Sequence, residues 1–169
     1  MRAWIGGLLV VLVVGVATTS AATGPTVKAA SSEPLTTKIL VDGAGRTLYR
    51  FTLDRGKSVK CIGPCTRTWP AVIVPRGTKP VAGKGVTAAR LGTVARADGR
   101  LQLTYYGLPL YRYAGDKRAG DVTGQGVGGT WFAVAPSGRL VKTKPSEPGD
   151  PTTPTPAPPT PTDPAYPTY

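Results

Sequence analysis

The chain contains no histidine. That absence excludes Ser-His-Asp and Cys-His catalysis and every histidine-containing metal site. Two cysteines, Cys61 and Cys65, are too few for a four-cysteine zinc site or an iron–sulfur cluster within one chain. Acidic residues are scarce: nine, against 21 basic ones, for a formal charge of +12. Residues 36–144 hold no glutamate at all, since Glu33 and Glu147 lie outside them. No window carries a sustained helical period with caps. Glycine (22) and proline (18) further disfavour a helical bundle in 169 residues. The longest apolar run, Trp4 to Val16, is shorter than the ~20 residues that span a bilayer.

The ends differ from the middle. Arg2, the apolar run and the small residues Ser20-Ala21-Ala22 read as an export signal over 1–22, cleaved near Thr23. No cysteine stands near that point to take a lipid. Residues 23–35 are small and polar and read as a linker. From Pro145 to Tyr169, 10 of 25 residues are proline, mostly among Thr, Ala, Ser and Asp. Such a tail buries almost nothing and is expected to be disordered over 145–169. It reads as a plain spacer, with O-linked sugar on its Thr-Pro tract as the alternative. It holds no hydrophobic stretch, so a C-terminal membrane anchor is not expected.

Residues 36–144 hold 19 basic and five acidic residues, so the positive charge belongs to the part expected to fold. This part repeats itself. Gly45, Leu48, Tyr49, Arg50 and Asp54 recur 62 residues later as Gly107, Leu110, Tyr111, Arg112 and Asp116. At the same offset Phe51 falls on Tyr113 and Trp69 on Trp131, and the match runs from Lys38 to Val72 without a gap. Each copy is strand-like. Ile39–Val41 and Thr47–Leu53 flank the turn Asp42-Gly43-Ala44-Gly45, and Leu101–Tyr106 and Pro109–Tyr113 flank Gly107. The fold expected is all-β: one compact domain from two tandem, hairpin-rich repeats (about 36–80 and 92–143) within 36–144. Each copy alone is too small for a secure core, so the two should pack together and share one.

The strand period puts Tyr49 and Phe51 on one face and Leu48 and Arg50 on the other, and likewise Tyr111 and Tyr113. With Trp69 and Trp131 these aromatics read as core, and the functional alternative is a platform for a sugar ring or a flat cofactor. Cys61 and Cys65 read as a disulfide closing a small loop in an oxidising compartment. Their spacing, with three residues between, differs from the Cys-x-x-Cys of thiol oxidoreductases. Asp54 and Asp116 form a tempting acid/base pair, but the simpler reading has each one accepting backbone N–H groups of the loop after its strand or pairing with an arginine. Gly120–Gly129 reads as a permissive connector, since it lacks the Lys-Ser/Thr ending of a phosphate loop, with anion binding through its backbone N–H groups as the alternative.

Tyr49-Arg50-Phe51-Thr52-Leu53-Asp54 and Tyr111-Arg112-Tyr113-Ala114-Gly115-Asp116 both spell Tyr-x-aromatic-x-x-Asp. This resembles the bacterial secreted-repeat, or predicted lipoprotein, family with that motif in tandem. The likeness extends to Cys61-Ile62-Gly63-Pro64-Cys65, Trp69-Pro70 and Thr104–Leu110. It implies an extracytoplasmic protein whose biochemistry the family does not establish. The expectation is a secreted, non-enzymatic module with no catalytic residue, no metal and no cofactor. Its basic surface is expected to meet anionic cell-envelope polymers or lipid head groups, with no dedicated nucleic acid and no transmembrane span in the mature chain. The alternative is an extracytoplasmic cofactor-binding or electron-transfer protein using the aromatic strands and the Cys61/Cys65 pair.

Overall fold

Side chains alternate across an extended strand, so a strand buried on both faces feeds two apolar layers at once. The computed structural model describes residues 23–146, and it is built on that arrangement. The export signal read over 1–22 and the tail from residue 147 onward lie outside the described residues. Strands β1 (Thr23–Ser32), β2 (Thr37–Asp42) and β3 (Tyr49–Phe51) precede a one-turn helix α1 (Cys65–Thr68). Then come β4 (Ile73–Val74), β5 (Lys79–Ala82), β6 (Leu91–Ala95), β7 (Leu101–Tyr105), β8 (Leu108–Pro109) and β9 (Trp131–Ala133). One sheet has the order β2-β1-β5 and another β4-β7-β6, with β8 also on β7, while β3 pairs β9. The fold is therefore all-β. Among the described residues no helix is long and apolar enough to cross a membrane.

The two copies meet about an approximate two-fold axis between Tyr49 and Tyr111. These residues exchange both backbone hydrogen bonds, at 2.9 and 3.0 Å. Tyr49 also stands opposite Ala133, and Tyr111 opposite Ala71. Bonds further out obey the same 62-residue relation. The Thr52 N–H donates to Thr130 O at 2.9 Å, as Ala114 does to Thr68 O at 2.8 Å. Both apolar layers draw on both copies. One holds Ile39, Val41, Tyr49, Trp69, Tyr111 and Trp131, and the other holds Leu40, Leu48, Val72, Leu103, Leu110 and Val134. Leu48 and Leu110 therefore point away from the layer that their tyrosine neighbours enter, as strand alternation requires.

Two expectations need correction. Residues 23–35 are not simply a linker. Residues 23–32 form β1, antiparallel to β2 with Ala29 opposite Leu40, and Val27 is fully buried. β1 stands to β2 as β6 stands to β7, so the first copy includes β1, and the folded part includes Thr23–Ser32, upstream of residue 36. The gap-free alignment also fails at the first shared strand. Leu40 N–H donates to Val134 O at 2.7 Å, and the equivalent donor to Val72 O, at 2.8 Å, is Leu103. Leu40 therefore corresponds to Leu103, one residue beyond the 62-residue offset. The extra residue of the first copy lies in its turn. There the Asp42 carboxylate accepts the N–H groups of Ala44 (2.9 Å) and Arg46 (3.0 Å). The second copy closes the same hairpin with Tyr106 and Gly107, both at positive φ (51° and 72°), as a two-residue primed turn requires.

Candidate functional site

The motif is spelled within each copy but bonded between copies. The Tyr49 hydroxyl donates to Asp116 Oδ2 at 2.7 Å, and the Tyr111 hydroxyl donates to Asp54 Oδ2 at 2.7 Å. Tyr49 and Tyr111 lie side by side across the axis, so each ring reaches the loop that follows the other tyrosine. The remaining carboxylate oxygens hold their own loops. Asp54 Oδ1 accepts the Lys60 N–H at 2.7 Å. Asp116 Oδ1 accepts the Thr123 N–H at 2.9 Å and its hydroxyl at 2.6 Å. Each aspartate thus ties a loop to the partner copy's tyrosine.

Burial sets the protonation chemistry of this network. Both tyrosines are fully buried, and the aspartates are 3% and 2% exposed. Desolvation, followed by the Asp116 carboxylate, holds the Tyr49 phenol far above its ordinary value. Desolvation and then Asp54 do the same to Tyr111. Burial also raises the Asp54 carboxyl, against the opposing pull of the Lys60 N–H, the Tyr111 hydroxyl, Arg96 and Arg50. Burial lowers Arg50, whose guanidinium donates to Gly138 O at 2.8 Å. A phenol that resists ionisation beside a carboxylate whose oxygens are both occupied is suited to holding strands together.

The aromatic residues stack in one column across the axis. Trp69 and Trp131 lie face to face with centroids 3.9 Å apart and planes 2° apart. Phe51 stacks on Trp131 at 4.3 Å, and Tyr113 lies against Trp69 at 4.5 Å. Tyr49 and Tyr111 meet the two indoles edge-on, at 5.5 and 5.1 Å. Space here is tight. A Cβ on Gly124 would sit 2.9 Å from both Trp69 and Tyr113, which accounts for one glycine of the 120–129 loop. With Trp69 4% and Trp131 5% exposed, the two indoles fill the interior, while Phe51 and Tyr113 at the ends of the column are half-buried.

The Sγ atoms of Cys61 and Cys65 are 2.01 Å apart, the distance of a disulfide. Cys61 is buried against the aromatic layer and Cys65 begins α1, so the pair closes the short loop that leads into Trp69. Two buried polar residues that the motif does not mark complete the site. The Arg96 guanidinium donates to Gln102 Oε1 and, at 2.9 Å, to Cys61 O, while the Gln102 amide donates to Leu110 O at 2.9 Å. Nothing in the 62-residue match singles out Arg96 or Gln102, because they lie where the two copies differ. The match is equally silent on Thr123, which serves Asp116 from the exposed side of its loop.

No curated protein and no solved structure matches the chain. Two stretches, residues 37–73 and 92–135, match a family described as a secreted repeat of unknown function. They carry the two halves of the tyrosine–aspartate exchange.

Proposed function

Because the chain belongs to this family of secreted repeats, we propose that it is a non-enzymatic, envelope-associated module whose basic surface binds anionic polymers or lipid head groups. In this reading the leader over 1–22 directs export, residues 23–144 form the binding head and the Pro/Thr-rich tail provides reach. One observation carries the proposal: every aspartate of the head is already committed. Asp54 and Asp116 are bound inside, and Asp42 pairs with Arg112 at 2.7 Å. Asp98 pairs with Arg100 at 2.7 Å, and Asp121 accepts two backbone N–H groups. Of the 19 basic residues in 36–144, ion pairs within the described residues involve Arg96, Arg100 and Arg112. The rest of the charge is left to solvent or to a partner. A cleft of about 530 Å³ lined by Lys38 and Lys84, with no acidic residue in its wall, is one place for such a partner.

Binding by screened charge weakens with salt. The test is retention of the secreted protein on its host's envelope fraction across ionic strength. Release on going from about 0.05 to 0.5 M salt is the expected result, since the screening length falls from well above to below the ~8 Å of physiological salt. Retention that ignores salt would remove the proposal. The absence of histidine adds a second requirement: no side chain with an ordinary pKa changes charge between about pH 6 and 8, so binding should be flat there.

A further inference from the structure

A duplication copies what the fold needs, so a surface feature present in one copy alone calls for another explanation. The loop between the motif aspartate and the tryptophan differs in this way. In the first copy, residues 53–68 carry Arg55, Lys57, Lys60 and Arg67, and their one acidic residue, Asp54, is buried. The corresponding residues 115–130 carry two basic residues, Lys117 and Arg118, balanced by Asp116 and Asp121. The apolar side chains differ too. The described residues have three exposed large hydrophobics, and two of them, Leu53 (53%) and Ile62 (57%), stand in this one loop. At the 62-residue offset their counterparts are Gly115 and Gly124. Ile62 lies inside the ring closed by the Cys61–Cys65 disulfide, and Asp54 draws the Lys60 N–H toward the base of the loop. Both aliphatic side chains are therefore presented on a fixed loop.

Exposed aliphatic side chains on a loop that also carries exposed cations match the surface of an anionic bilayer. The cations are attracted to phosphate head groups, and the apolar tips enter the acyl boundary, where burial is favourable. A purely polymeric polyanion would use the cations and leave Leu53 and Ile62 in water. We propose that the 53–68 loop is a membrane-contact tip that inserts Leu53 and Ile62 into an anionic lipid surface. This rests on the anionic-envelope reading above and chooses lipid within it.

The test uses the full mature, oxidised protein and three probes: vesicles of phosphatidylglycerol and phosphatidylcholine, vesicles of phosphatidylcholine alone, and a polyphosphate resin. The wild type should bind the anionic vesicles and not the neutral ones. A Leu53→Ser/Ile62→Ser variant should lose about tenfold or more in affinity for the anionic vesicles, with its retention on polyphosphate unchanged. Ile62→Trp, which adds an interface-seeking ring at the same point, should bind the vesicles more tightly. Wild-type affinity in the double variant, or binding to polyphosphate without binding to vesicles, overturns the tip and leaves the electrostatic reading standing. Failure to bind either anionic probe overturns both.

Discussion

If the motif works between copies, energetic coupling should run between copies as well. Tyr49→Phe removes a hydroxyl that donates to Asp116 at 2.7 Å and accepts the Gly124 N–H at 3.3 Å. A buried hydrogen bond to a charged group contributes about 1.5–3 kcal/mol, and the substitution leaves Asp116 Oδ2 short of a partner. Tyr49→Phe should therefore destabilise by about 2–3 kcal/mol. The double-mutant cycle isolates the pair. Tyr49→Phe combined with Asp116→Ala should show a coupling of about 1.5–3 kcal/mol, because the loss of the Thr123 bonds cancels around the cycle. Tyr49→Phe combined with Asp54→Ala, the aspartate of its own motif, should add to within ~0.5 kcal/mol. Tyr111 should behave in mirror image, coupling to Asp54 and not to Asp116. The assay is urea unfolding followed by fluorescence. At a typical slope of ~2 kcal/mol per molar, the coupling corresponds to a midpoint shift of roughly 1 M. Coupling within a motif that equals or exceeds coupling across the axis would refute the exchange.

Other expected outcomes follow from the same interior. The indoles at 3.9 Å should give an exciton-coupled circular dichroism signal that disappears in either Trp69→Phe or Trp131→Phe, and survival of the signal in one variant would contradict the stacking. Trp131→Ala should cost about 3–5 kcal/mol, as for other buried aromatics cut to alanine, measured by the same urea unfolding. In alkaline titration, Tyr49 and Tyr111 should stay neutral until the fold is lost. Their folded values are raised, so the stability they contribute is present below the ordinary tyrosine value near 10 and is lost as the pH rises beyond it. Ionisation of all seven tyrosines near pH 10 with the fold intact would count against their burial. Replacing Cys61 and Cys65 with serine should cost about 2 kcal/mol on the chain-entropy scale for so short a loop, read as a lowered urea midpoint.

The sequence makes the duplication legible because the residues at its centre are large and rare. Two tryptophans and two Leu-Tyr-Arg strings in register are enough to place the aromatic column in the shared interior. The partner of each tyrosine is not legible. Strand alternation tells which face Tyr49 occupies, but only the two-fold axis brings it to Asp116 rather than Asp54. β1 escapes detection for a different reason. Thr23–Ser32 is mostly small and polar and lacks clear alternation, and it owes its strand to backbone pairing with β2 on one side and β5 on the other. The one-residue slip arises because Ile39-Leu40-Val41 matches Leu101-Gln102-Leu103 in polarity at its ends. The actual register is set by turn length, which is longer around Asp42 than at Tyr106-Gly107. Gln102 then enters the interior as a polar residue with bonds to Arg96 and Leu110, a solution that hydrophobic pattern alone would not favour.

The tyrosine–aspartate motif holds the scaffold while, in the proposed function, binding resides on the basic surface: a division of labour. It is tested most directly by binding of the Tyr49→Phe/Tyr111→Phe variant to the host's envelope fraction, at a temperature where circular dichroism shows it folded. The expected result is a lowered melting temperature with envelope affinity and its salt dependence unchanged. A variant that folds with native stability but no longer binds would contradict it, because the motif would then be touching the partner itself.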